Sequence, residues 1–365
     1  MSKEARLFFI AVYLLVGLGI VMTYSASAVY AQRFYGNSQH FLIRQVLYTV
    51  VGTVLLFITA SVPIEFWKNH ARALILLAIV FLMMVFLPVV GHSAGGARRW
   101  ISLGPFNFQP AEFAKIAVSI YLADYLSRKI RGLKKGDLRI FFPPLFLVGV
   151  VCALILMQPD LGSCAFIFLI AAILVFLAGI RLRYVAAAGL VFLPVFYFLV
   201  IRVPYRLSRV TAYLNPWEDP QGNGFQMIQS FLAFGIGGVR GAGLGQGIQK
   251  LFYLPSSYND FIFSIIGEEL GLSGLLFIML LYGVIFVCGV QMAEKARRPY
   301  EKFLIIALTF AILLQALIHM LVATGLIPTK GLPLPFVSFG GTSLVFNLMG
   351  AGLMLASDRH VRGKG

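Results

Sequence analysis

The residues able to do chemistry are few, with 14 Asp and Glu in 365 residues, and several stand where an acid needs a reason. Asp260 follows Tyr258-Asn259 and opens an apolar run. Glu268 and Glu269 lie inside that run, roughly 12–13 Å deeper along a helix. Glu112 and Lys115 follow Pro110, and their three-residue spacing puts both on one helix face, where they can pair. Asp160 sits in the short turn Gln158-Pro159-Asp160-Leu161-Gly162. Gln109, Arg98, Arg99, Arg202, Arg206, Lys250 and Lys330 fall in the same set of loops and span ends. Such a mixture suits an anionic headgroup: cations hold phosphate, and a carboxylate among them takes a proton. Each residue also has a plainer role. Asp160 and Asp260 suit helix caps, and Glu112–Lys115 suits a structural ion pair. Glu268 and Glu269 suit ties between helices, with Arg44 or Lys115 as partners. The residues alone leave both sets of roles open.

Other chemistries lack their residues. Cys152, Cys164 and Cys288 all lie in apolar runs without a CxxC, and the five histidines form no zinc motif. There is no Walker A sequence, and the glycine-rich stretch from Gly235 to Gly247 contains no GxGxxG. Nucleotide-driven chemistry and a zinc site are not expected.

The elements that must position these residues are membrane spans. The chain is 59% hydrophobic and 12% charged, with mean hydropathy +0.88, where a soluble domain is about a quarter charged. Runs near 7–29, 42–62, 72–90, 109–126, 141–158, 161–180, 184–203, 260–290, 303–323 and 338–357 are each long enough to span a bilayer. The expectation is an all-α, polytopic membrane protein of about ten helices, a single domain over 1–365, with one large extracytoplasmic loop at 204–259. Ala26-Ser27-Ala28 resembles a signal-peptide cleavage site, but the run is long for one and reads as a retained first span. Within the large loop, Phe225, Ile228, Phe231, Leu232 and Phe234 predict a short amphipathic helix on the membrane surface. The seven glycines after it predict a bent or closely packed segment.

The net charge of +16 is no sign of nucleic acid here. With the N-terminus inside, 19 of the 30 Lys and Arg fall in cytoplasmic segments and nine outside, with Arg44 and Lys115 within spans. That is the bias of an inner-membrane protein with both termini cytoplasmic. It puts Asp260, Asp160, Glu112 and the cations around them on the outer side, which ATP does not reach. A substrate there has to carry its own leaving group.

At this point the motifs are recognisable. The sequence resembles the SEDS family (shape, elongation, division and sporulation) nearly end to end. The resemblance rests on Met22-Thr23-Tyr24-Ser25, on Gly96 to Gly104 followed by Gln109-Pro110-Ala111-Glu112-Phe113-Ala114-Lys115, and on Gln158 to Gly162. It continues in Tyr253-Leu254-Pro255, Asp260 to Phe263, Gly267-Glu268-Glu269-Leu270-Gly271, Gly325 to Gly331 and Ser338 to Gly341. Asn215 to Pro220 and Thr329-Lys330-Gly331 look more like the division and sporulation branches than the elongation branch. His319, Phe339 and Tyr258-Asn259 depart from the family's usual Asn, Tyr and His-Thr.

The resemblance implies a peptidoglycan glycosyltransferase that polymerises lipid II, a disaccharide-pentapeptide on undecaprenyl diphosphate, at the division septum. It maps the family's essential aspartate onto Asp260, as general base on the acceptor hydroxyl. It implies a substrate pocket drawn from Arg99, Gln109, Glu112, Lys115, Asp160, Arg202, Arg206, Lys250, Lys330 and Ser338. A departing diphosphate needs positive charge, from these cations or from a divalent ion such as Mg or Mn. The partners implied are a class B penicillin-binding protein, which crosslinks the strands, and other division proteins. Two other readings are a lipid II flippase and a division scaffold without catalysis. Both make Asp260 dispensable for polymer formation.

Overall fold

The computed structural model describes residues 1–88, 90–94, 97–104, 106–134, 138–179, 189–190, 197, 204–222 and 224–362. The helices are α1 (Lys3–Tyr35), α2 (His40–Ser61), α3 (Ile64–Asn69), α4 (Ala71–Met84), α5 (Pro110–Lys134), α6 (Phe142–Met157) and α7 (Leu161–Leu177). They continue with α8 (Pro204–Leu214), α9 (Phe225–Gly237), α10 (Ile262–Lys295), α11 (Pro299–Ala323) and α12 (Gly341–Arg362). Among the described residues, nine of the ten expected spans coincide with helices, and the seventh lies almost entirely outside those residues. Five helical stretches are long and apolar enough to cross a membrane: α1, α2, Arg139–Met157, α10 and α11. The protein is an all-α polytopic membrane protein. One small addition to that class is a three-stranded antiparallel sheet of β1 (Gly91–Ala94), β2 (Ala97–Leu103) and β3 (Phe106–Phe108) between α4 and α5.

Local signals set the helix ends. Ser2 caps α1 by accepting from the Ala5 N–H, and Gly36, at φ 68°, closes it onto the Gln32 carbonyl. Proline starts α5 and α11, where its missing N–H costs nothing. Lipid tails are as apolar as leucine, so burial alone does not drive spans together and close backbone approach does. In the α2–α12 pair, a Cβ on Gly52 would run into Leu348 and Val345, and one on Gly352 into Leu56 and Thr59. The outward faces, with Val50, Phe57, Phe146 and Leu280 exposed, are apolar as a bilayer requires.

Contacts between loops sort the bundle into two ends. At one, the Ser2 N–H donates to Asp358, Lys295 pairs with Glu4, and Arg298 pairs with Glu65. At the other, Arg99 reaches the α6–α7 turn, Thr342 the carbonyl of Asn107, Ser338 that of Asn259, and Arg209 that of Thr329. The connections α4–α5, α6–α7, α8–α10 and α11–α12 therefore gather at one end, as an alternation of spans demands. The amphipathic helix expected on the membrane surface forms as α9, but it is seated on protein. Its buried face, with Met227, Ser230, Ala233 and Gly237, packs on α10, and the Ser230 hydroxyl meets Ser264 and the Ala323 carbonyl.

Candidate active site

Asp260 sits in the turn that leads into α10. The Ser256 carbonyl accepts from the N–H groups of Asn259, Asp260 and Phe261 at 3.1, 3.1 and 3.4 Å. The 331–339 loop covers this turn. The Ser338 hydroxyl donates to the Asn259 carbonyl at 2.8 Å and accepts from the Leu334 N–H at 2.7 Å. The Phe339 N–H donates to the Tyr258 carbonyl at 3.1 Å. A Cβ on Gly331 would lie 3.5 Å from Asp260 Oδ2, an ordinary contact distance, so the backbone of the covering loop runs beside the carboxylate there. Asp260 does not cap α10. The cap position belongs to Phe261, and no side chain serves it.

The Asp260 carboxylate receives no hydrogen bond from any described group, and it is half-buried. Burial raises its pKa from 3.8 to about 6, and Arg209 opposes the rise across space. Arg209 comes from α8, whose position the Arg209–Thr329 bond and the bond from Tyr213 to the Leu326 carbonyl fix. Arg209 is one of the nine basic residues in the outer segments, and nothing in its spacing points at residue 260.

The other acids of the set are committed. Asp160 caps α7, taking the Ser163 N–H at 3.0 Å on Oδ1 and the Ser163 hydroxyl at 2.9 Å on Oδ2. Lys330 lies near it: burial lowers the lysine's pKa and Asp160 opposes this. Arg99 donates to the carbonyls of Gln158 and Pro159 at 3.1 and 2.6 Å, so it holds the turn that carries Asp160. The Gln109 carbonyl accepts the Glu112 N–H at the start of α5. Glu112 and Lys115 pair at 2.8 Å, both buried, with Lys115 over the Phe166 ring. This pair lines a cavity of about 20 Å³ with Gln315, Ser119 and Asn347, and Asp260 is not among the lining residues. Its link to Asp260 is indirect: Lys115 reaches Gln315 at 3.3 Å, and Gln315 donates to the Pro333 carbonyl in the covering loop. Arg202 lies outside the described residues, and of Arg206 only the backbone, in α8, is described.

Lys250 is placed elsewhere. It pairs with Glu269 at 2.6 Å, buried, and also donates to Ser25 and to the Gly245 carbonyl. The partners expected for Glu268 and Glu269 are thereby corrected. Lys115 belongs to Glu112, and Glu268 accepts the N–H groups of Ile248 and Gln249. This cluster stands at a break in α10. Gly271 has φ 64° and ψ −164°, a conformation open essentially to glycine alone. The groups that the break releases are taken by the glycine-rich loop. Leu272 and Ser273 N–H donate to the carbonyls of Gly238 and Val239, and the carbonyls of Glu268 and Glu269 accept from Ala242 and Gly243.

Comparison with known proteins adds a second line. A family model for cell cycle proteins, covering FtsW, RodA and SpoVE, matches residues 5–363. "Probable peptidoglycan glycosyltransferase FtsW" of Geobacter sulfurreducens is 44% identical over 345 residues, 94% of this chain and 92% of that one. Stage V sporulation protein E of Bacillus subtilis is 41% identical over 352 residues, 96% and 95% of the two chains. Among solved structures, a chain of a peptidoglycan synthase complex that coordinates polymerization and crosslinking superposes with a TM-score of 0.79 at 28% identity, covering 97% of both chains. The rod shape determining protein RodA of Thermus thermophilus superposes with a TM-score of 0.72 at 25% identity, covering 97% of this chain and 96% of its own.

Proposed function

The chain belongs to the FtsW/RodA/SpoVE family of cell cycle proteins, and from that membership we propose how its site works. The protein is a peptidoglycan glycosyltransferase of cell division and cell shape. Its substrate is lipid II, and Asp260 is the general base. The Asp260 carboxylate takes the proton of the acceptor's 4-hydroxyl. The freed oxygen attacks the anomeric carbon of the growing strand from the face opposite the diphosphate. The C1–O4 bond forms, the C1–O bond to phosphate breaks, and the configuration inverts. The undecaprenyl diphosphate leaves as a stable anion, so it needs cations rather than an acid. Arg209 and Lys330 supply them.

One observation carries this reading. Within this set Asp160, Glu268 and Glu269 have both oxygens engaged and Glu112 has one in its ion pair, whereas the half-buried Asp260 carboxylate accepts from no described group. Among the described residues no three His, Cys, Asp or Glu gather at one point, so they offer no all-protein metal cage. Mg or Mn is therefore not assigned a step. The transporter reading relies on broken helices with free backbone at the cargo site. Here the break at Gly271 is closed by the loop's own hydrogen bonds, which favours catalysis over transport.

The same reading places both termini in the cytoplasm, the 204–259 loop outside, and the protein at the septum. It assigns a class B penicillin-binding protein as partner through lipid-facing helices and outer loops, together with other division proteins. The test is purified full-length protein in nanodiscs with lipid II, scored for glycan strands on a gel. Wild type makes strands. Asp260→Asn, folded and inserted, makes none, since a general base contributes roughly 10²–10⁴ in rate. Substantial polymer from a well-folded Asp260→Asn would overturn the assignment.

A further inference from the structure

Beside the Asp260 turn lies a continuous sheet of aromatic rings that the reaction above does not use. The ends of α1 and α2 contribute Tyr30, Phe34, Tyr35 and Phe41, and the loop before α10 contributes Phe252 and Tyr258. Tyr258 packs on Phe41 at 4.5 Å and on Tyr30 at 5.7 Å between ring centroids. Phe252 packs on Tyr30 and on Phe34, each at 6.2 Å. The sheet is not closed into a core. Phe34 is 60% exposed, Tyr35 53% and Phe252 40%. Phe252 also holds φ at 70°, a region that a bulky L-residue rarely adopts. Such strain persists only where the surroundings over-determine it, and here it holds the ring outward. The Arg33 guanidinium stands 4.8 Å over the same ring.

We propose that this aromatic sheet is a binding track for the β-1,4-linked N-acetylated glycan, holding the strand as it leaves Asp260. The inference rests on the catalytic reading and deepens it. A pyranose in β-1,4 linkage has one face of axial C–H groups, which packs on the electron-rich face of an aromatic ring. Each disaccharide repeats that face, so a row of rings can hold a strand at any register. Stacking platforms hold single-stranded nucleic acid without regard to sequence in the same way. The phenol hydroxyls of Tyr30 and Tyr35 suit the hydroxyl and acetamide edges, and Arg33 suits the carboxylates of the substituents. The position argues for a glycan over the aromatic belt of a membrane interface. Belt residues are amphipathic side chains at the lipid headgroup level. These rings come from three segments, pack on one another, and continue through Tyr258 and Phe41 to Phe339 of the loop over the Asp260 turn, at 6.0 and 5.1 Å.

The test uses the full chain in nanodiscs, a Phe34→Ala/Phe252→Ala double variant, and Phe142→Ala/Phe146→Ala as control. The control pair is exposed on α6 and away from the track. The probe is chitotetraose, a β-1,4 tetramer of N-acetylglucosamine, with binding followed by saturation-transfer NMR. The track variant should bind it on the order of tenfold more weakly, the factor that about 1.4 kcal/mol carries. From lipid II it should release shorter strands for the same amount of disaccharide incorporated. The control should match wild type in both. Unchanged tetramer binding and strand length would overturn the track. So would a defect confined to nanodisc insertion, which would make the rings a membrane belt only. Failure of the catalytic reading looks different: wild type would then make no strands, while the tetramer arm would still decide the track.

Discussion

Asp260 is costly to the fold. Its pKa of about 6 in the folded protein exceeds the ordinary 3.8 because burial disfavours the charge. Folding is therefore most favoured below pH 4, where the group is protonated in both states, and loses stability as pH rises through 6. At pH 7 the charge costs at most about 3 kcal/mol, from 1.36 kcal/mol per pKa unit. Asp260→Asn should raise the melting temperature at pH 7 and leave it nearly unchanged at pH 4, while abolishing activity. Stability gained with function lost is the expected trade at a strained site. Activity of the wild type should fall as pH drops through about 6, because a base must be ionised to accept a proton; a flat profile between pH 5 and 8 would count against Asp260. The Glu112–Lys115 pair answers to a different experiment. Removing one partner strands a buried charge at a cost of about 3–5 kcal/mol. Glu112→Ala and Lys115→Ala should each lose folding or activity, and exchanging the two residues should restore part of it. The sequence shows this pair because both partners lie on one helix, three residues apart. It hides Lys250–Glu269 and Arg209–Asp260, since nothing local says which distant charge a loop will deliver.

Among the elements, the splice between the glycine-rich loop and α10 is the one that sequence reading foresaw only as a close-packed or bent segment. A hydrophobic run of this length reads as one helix, and nothing marks Gly271, among its five internal glycines, as the place where the helix stops and restarts. The break is legible only with the loop in place, because the four released backbone groups find their partners at 238, 239, 242 and 243. The small β1–β3 sheet was missed for a related reason: its short strands lie in a motif read for its charges. If the splice holds the upper end of α10, and with it the Asp260 turn, Gly271→Ala should be severe. The conformation alone costs roughly 1–3 kcal/mol for a non-glycine residue, and the new Cβ would meet the Val239 carbonyl oxygen at 2.6 Å and Gly241 N. Gly283→Ala, in the same helix with nothing within 4 Å of its Cβ, should be neutral or stabilising by up to about 1 kcal/mol. Melting curves in detergent separate the two, and equal stability of both variants would mean that the break is not needed.

For the whole molecule, the loop contacts separate two ends, and the expectation from the basic residues that the end carrying the termini is cytoplasmic is one that labelling can check. A membrane-impermeant thiol reagent added from outside should modify Gln221→Cys and spare Lys302→Cys, both exposed positions; the reverse would invert the topology. The span positions were readable from hydropathy because a bilayer sets helix length, whereas the pairing of spans was not, because all of them are similarly apolar. That pairing has a consequence for biosynthesis. The partner of α2, which ends at Ser61, is α12, which begins at Gly341. Ribosomes extend chains at roughly 5–20 residues per second, so α2 enters the bilayer and waits roughly 15–60 s for the surface that Gly52 and Leu56 are shaped to meet. The Ser2 N–H waits longer still for Asp358, 356 residues on. Assembly of this bundle closes last at its two ends, and a nascent chain stalled before Gly341 would hold α2 by α1 alone and present its uncovered α12-facing side to the quality-control proteases of the membrane.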